Sequence, residues 1–128
     1  MLHTFIKDFY NTISFDQGEE WKEEAFREFF LSDAVLLECK DGVYHRKTIN
    51  EYVSEFASLI KFHPECFEKG FHEKQVNVKV IENDISILVS SEYEKFYSIS
   101  GKDIKEYGIN NMTIVKESGA LKIACMIW

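Results

Sequence analysis

The C-terminal half of the chain, residues 71–128, reads as a run of long strands with room only for short turns between them. Segments 71–81, 85–97, 104–115 and 120–128 carry β-branched, aromatic and other apolar side chains at a period near two. Helical spacing dominates the residues before them. A chain that places its helices first and its strands last specifies an α+β domain, with helices packed on one face of a mainly antiparallel sheet. Such a sheet, curled over its helices, makes a cone with a cavity inside. The fold expectation therefore bears directly on function.

Leu2, Phe5, Ile6, Phe9, Tyr10 and Ile13 follow the i, i+3, i+4, i+7 rule and predict a first helix. Asp16 and Glu19 have the spacing of a capping box. Trp21, Ala25, Phe26, Phe29 and Phe30 predict the apolar face of a second helix behind it. Glu19, Glu20, Glu23 and Glu24 crowd its start, where the helix dipole favours anions, so this acidic cluster is read as a solvated face. Residues 34–38 and 43–45 predict two short extended pieces around the turn Lys40-Asp41-Gly42. Thr48 and Glu51 form a second capping box. Ile49, Tyr52, Val53, Phe56, Leu59 and Ile60 give a third helical stripe, closed by Pro64. Asn83-Asp84 predicts a hairpin turn.

At 128 residues the chain is expected to form one domain, 1–128, that needs no disulfide staple. The net charge of −7 and the absence of any dense basic run exclude general binding to nucleic acid or to anionic membrane. No window approaches the ~20 apolar residues of a membrane span. Cys39, Cys66 and Cys125 are odd in number and form no CxxC pair, which speaks for reduced thiols in a cytoplasmic protein. His63 and Cys66 lack a second pair to complete a metal site, and no phosphate-binding or dinucleotide-binding loop occurs. No cofactor or metal is expected. Eleven Phe, six Tyr and two Trp leave two readings open, a Phe-rich core or an aromatic-lined cavity.

Four stretches carry a resemblance. Phe30-Leu31-Ser32-Asp33-Ala34-Val35 matches an F-x-x-D-A-x entry into a first strand. Gly42 through Phe56 matches the approach to a third helix. Ile87 through Glu94 matches a central V-x-S-x-Y strand. Gly108-Ile109-Asn110-Asn111-Met112, with Leu121-Lys122-Ile123 and Trp128, matches a G-x-N…W-K-I…W ending in which Leu121 replaces the usual aromatic residue. In this order the chain resembles the NTF2-like superfamily, in its SnoaL-like and ketosteroid-isomerase-like branch. The resemblance implies a cystatin-like cone of three N-terminal helices on a curved sheet. The superfamily hosts isomerases, dehydratases and association modules alike, so it does not by itself give an activity.

The same resemblance implies three catalytic candidates. Glu38 stands where the steroid isomerases carry their general base, at the end of D-A-V-L-L-E. It also follows three apolar residues, and burial makes a carboxyl a better base near neutrality. A water-facing carboxylate, or one paired to Lys40, is the competing reading. Asn110 occupies the position of the protonated acid that steadies an oxyanion, and its amide can donate such a bond; an Asn satisfying a turn near Gly108 is the alternative. Tyr10 is the candidate phenolic donor on the first helix, or else a core residue. Phe9, Trp21, Phe26, Phe30 and Tyr52 are expected along the cavity wall. So are Phe56, His72, Tyr93 and Trp128. Alternation groups Tyr93 with Ile85, Ile87, Val89 and Ser91 towards the helices, and sends Glu92 with Leu88, Ser90 and Phe96 outwards. The expected ligand is a small apolar molecule. The expected partner is a second copy of the chain, docked through the outer sheet face. The function is read as acid/base chemistry such as isomerisation or dehydration, or alternatively as non-catalytic ligand binding or dimeric association.

Overall fold

The computed structural model describes all residues, 1–128. Three helices, α1 (Leu2–Ile13), α2 (Glu23–Arg27) and α3 (Ile49–Phe62), are accompanied by a 3₁₀ turn at Pro64–Cys66. The strands are β1 (Phe30–Lys40), β2 (Val43–Lys47), β3 (His72–Glu82), β4 (Ile87–Ile99), β5 (Lys102–Glu117) and β6 (Ala120–Ile127). They form one open, curved sheet in the order β2-β1-β6-β5-β4-β3. Every neighbouring pair is antiparallel except β1 with β6, which is parallel. Helix α1 packs on β3, α3 packs on β1, and α2 lies between the two helices. This is the cystatin-like, NTF2-like cone that the sequence implies. No helix is long and apolar enough to cross a membrane.

Period-two alternation decides which side chains see the helices. In β4, Ile87, Val89, Ser91 and Tyr93 are buried while Leu88 and Glu92 are exposed, as expected. Ile85 departs from that set and is 84% exposed. It lies in the turn before β4, where the Asn83 side-chain oxygen accepts from the Ile85 and Ser86 amides at 2.9 Å each. The capping box predicted at Thr48 and Glu51 is fully formed, with both reciprocal bonds at 3.1 Å, and it starts α3.

The second helix is shorter than its spacing predicts, and β1 starts earlier than residue 34. Phe30 pairs with Ile123, and the Ile123 amide donates to the Phe29 carbonyl at 2.7 Å. Strand pairing thus takes the residues that local periodicity assigns to helix, a tertiary override of a weak local preference. The Asp16–Glu19 pair caps no helix. The Glu19 carboxylate accepts from the Asp16 amide at 2.8 Å and closes a turn instead.

A backbone lock joins the two halves of the chain just beyond the C-terminus of α1. Phe15 and Phe71 exchange both main-chain hydrogen bonds, at 2.8 and 2.9 Å. Gly70 precedes Phe71 with φ +84°, and a Cβ there would lie 2.5 Å from the Phe15 carbonyl oxygen. Both the backbone angle and the space require glycine. Gly70→Ala is expected to lower stability by about 1–3 kcal/mol, measured as a fall in the urea midpoint; an unchanged midpoint would show that the lock tolerates a side chain.

Candidate functional site

A cavity of about 470 Å³ opens between the helices and the concave face of the sheet. Phe9, Phe26, Tyr52, Phe56, Tyr93 and Trp128 line it, together with Phe67 and Phe71. Six charged or amide side chains reach the same wall: Glu38, Lys47, Glu55, Glu73, Lys95 and Asn110. They come from β1, β2, α3, β3, β4 and β5 in turn, so the site is assembled from almost every element of the fold.

Glu38 stands on the wall, but its partner is Lys47 rather than Lys40 or water alone. The β1–β2 hairpin sets Leu36 opposite Lys47 and turns both Glu38 and Lys47 towards the cavity. The Lys47 ammonium lies 3.1 Å from Glu38 and 2.5 Å from Glu55. Burial opposes the Lys47 charge, yet the two carboxylates more than offset it, and its pKa is raised.

Asn110 is buried and holds Tyr10. Its amide donates to the Tyr10 hydroxyl at 3.2 Å, Tyr10 and Ser91 lie 2.7 Å apart, and the Ser91 hydroxyl donates to the Gln75 side-chain oxygen at 2.7 Å. Tyr10 sits behind the cavity wall, within the core, and burial pushes its phenol up to about 12. It is not among the residues that line the cavity, and its hydroxyl meets Asn110 and Ser91 instead. Trp21 and Phe30 also stand behind the wall. The Trp21 ring packs 4.6 Å from Phe56 and its indole N–H donates to the Thr12 carbonyl, while Phe30 packs on Phe9 and Phe26. His72 points away from the cavity and meets Asp16 at 2.7 Å near the surface. Its strand position opposes Phe96, which is outward-facing, so alternation itself excludes it from the wall.

Glu73, missed from the sequence, is an acid of the cavity wall. Phe71, Glu73 and Gln75 alternate onto the concave face, and the Glu73 amide donates to Ser14 at 3.0 Å, fixing this end of β3 against α1. Its carboxyl has no hydrogen-bond partner. The residue is half-buried and keeps solvent contact through the open cavity, while the wall around it partly desolvates the carboxyl. That desolvation raises its pKa from 4.5 to about 7, against the opposing charge of Lys95 across the β3–β4 ladder. The signal lay in the strand pattern: once Phe71 faces inwards, Glu73 must as well. Burial, followed by the charge of Glu73, raises the Tyr52 and Tyr93 phenols strongly. Neither hydroxyl has a hydrogen-bond partner. No group of three or more His, Cys, Asp or Glu side chains is placed to hold a metal ion.

No protein-family model and no curated protein matches the chain. Solved structures do. A candidate scytalone dehydratase from Novosphingobium aromaticivorans superposes with a TM-score of 0.75 at 13% identity, covering 98% of this chain and 78% of that one. A protein from Catenulispora acidiphila in complex with S-DNPA gives 0.72 at 14%, covering 99% and 87%. A cystatin-like protein of unknown function from Nostoc punctiforme gives 0.68 at 12%, covering 98% and 85%. At these identities the likeness establishes the NTF2-like fold.

Glu73 binds its proton more tightly in the folded chain than an unfolded glutamate does at 4.5, so its contribution to stability is complete below that value and is lost as pH rises through about 7. The expected loss is of the order of 1–3 kcal/mol. Urea midpoints recorded from about pH 5 to 8 should fall for the native chain and run flatter for Glu73→Gln; identical slopes would assign the titration to another group.

Proposed function

We propose that the chain binds a small, largely apolar cyclic molecule in this cavity and moves a proton on it. The observation that carries this is Glu73, a cavity-facing carboxyl without a hydrogen-bond partner whose pKa is raised to about 7. Such a group is close to half ionised at neutral pH, which suits it to take and return a proton. In the proposed step the Glu73 carboxylate removes a proton from a carbon next to a carbonyl, and the C–H electron pair moves into the enolate. The phenols of Tyr52 and Tyr93 and the second amide hydrogen of Asn110 are available to donate to the resulting oxyanion. Returning the proton to another carbon isomerises the ligand. Giving it to a leaving hydroxyl eliminates water, the reaction class named by the dehydratase neighbour. Lys47, clamped between Glu38 and Glu55, closes the polar side of the wall.

A second reading assigns the base to Glu38, which the resemblance favours and which also faces the cavity. A panel of cyclic ketones followed by NMR in heavy water separates the two, because exchange of a carbon-bound proton needs no knowledge of the product. Native protein should accelerate exchange, Glu73→Gln should lose it by roughly 100-fold or more, and Glu38→Gln should retain most of it. Loss in Glu38→Gln alone would move the base to Glu38. No exchange with any member of the panel would favour plain ligand binding.

The outward face of the sheet supports the association expected from the sequence. Leu88 and Ile109 on β4 and β5 are exposed, as is Tyr107, and a second copy of the chain would cover them. Light scattering is expected to give a dimer that Ile109→Lys converts to a monomer; a native monomer would argue against this face as an interface.

A further inference from the structure

We infer that Gly108 is a specificity-determining residue, which sets the room in the cavity by letting the Tyr93 ring lie back against β5. The inference rests on the cavity being a ligand site. Tyr93 and Gly108 are directly opposed in the β4–β5 ladder, so their side-chain positions share the concave face. A Cβ at position 108 would sit 2.5 Å from Cζ and 2.9 Å from Cε1 of Tyr93, and still nearer its hydroxyl oxygen. The ring therefore occupies the space that any other residue at 108 would need.

Backbone conformation does not explain this glycine. Five of the six glycines have a positive φ and Gly108 is the exception. What the position requires is a missing side chain. The next inward positions on β5, Asn110, Met112 and Ile114, all carry buried side chains.

A ring displaced from Gly108 has one direction to go. Gln75 opposes Tyr93 on the β3 side and is held by Ser91. The Tyr10 ring stands 6.0 Å away on the helix side, itself fixed by Ser91 and Asn110. The remaining side is the cavity, which Tyr93 already lines together with Glu73 and Lys95. A methyl group at 108 would thus swing the phenol into the ligand space beside Glu73. Larger residues there would close it further. Cores resist such added volume, because packed neighbours have no slack to absorb it.

The full-length chain and three variants test this, with 2-naphthol as the probe and fluorescence titration as the readout. Gly108→Ala should weaken 2-naphthol binding by roughly tenfold. Tyr93→Leu, which also removes a contact from the wall, supplies the reference affinity for the double variant. The double variant should return to within about twofold of Tyr93→Leu, because removing the ring removes the clash; this rescue separates a gate from general loss of structure. Native affinity in Gly108→Ala, or a Gly108→Ala loss that persists in full on the Tyr93→Leu background, would overturn the role of Gly108 while leaving the cavity as a ligand site. If Gly108→Ala does not fold, failure of the double variant to bind overturns it equally. Absence of 2-naphthol binding by the native chain would remove the ligand site and this inference with it.

Discussion

The parallel pairing of β1 with β6 is the contact on which the rest of the molecule depends. It is the only parallel ladder in the sheet, and it joins the first strand of the chain to the last. The Trp128 amide donates to Leu37, and the Trp128 carbonyl accepts from Cys39 at 2.7 Å, so the ladder runs to the end of the sequence. Without it the β1–β2 hairpin would have no sheet to belong to. Glu38 and Lys47 would then be remote from Asn110 and Glu73, and α3 would lose the strand it packs on. Non-local pairing of this kind is slow to form because the loop entropy must be met before any contact rewards it. The aromatic cluster of Phe9, Phe26 and Phe30 rewards it as soon as the two ends meet.

The cavity follows from a mismatch between the curved sheet and the helices beneath it. Three helices of 12, 5 and 14 residues cannot fill the concavity of six strands, two of which exceed 12 residues. Aromatic rings cover the gap from both sides, because a large planar side chain can bridge a space that aliphatic residues would leave ragged. Trp128 belongs to this group. It packs edge-on to Tyr52 at 5.5 Å, and so connects the residue that follows β6 to the first turn of α3. Within such walls a carboxyl is poorly solvated. Glu73 bears that cost, while Glu38 shares Lys47 with Glu55.

Much of this was legible in the sequence, for reasons particular residues show. Val89, Ser91 and Tyr93 alternate cleanly because β4 is central and one of its faces is buried. Thr48 and Glu51 announced α3 because a capping box is a purely local device. Glu38 is a candidate from the D-A-V-L-L-E spacing, with a water-facing carboxylate as the competing reading, and its side chain is among those that line the cavity. What could not be read depended on contacts between distant segments. The end of α2 was set by Ile123, more than ninety positions away from Phe29 in the chain. The partner of Glu38 was chosen by hairpin register, not by proximity to Lys40. The environment of Glu73 arises only when β3 meets α1 and β4. His72 looked more chemical than its neighbour, yet one step along a strand moves a side chain to the opposite face.

The row Asn110, Tyr10, Ser91 and Gln75 carries a consequence of its own. A hydroxyl has a single proton to give. Because Ser91 gives its proton to Gln75, Tyr10 must give its own to Ser91, and Asn110 must then turn its nitrogen to Tyr10. The carbonyl oxygen of Asn110 is left without a protein partner. The polarity of the cavity at Asn110 is therefore written at Gln75 on the outermost strand, and is transmitted inward by three hydrogen bonds that all point the same way. Turning one amide alone would set two donors or two acceptors face to face. The row behaves as a vector, and its tail lies on the edge of the sheet.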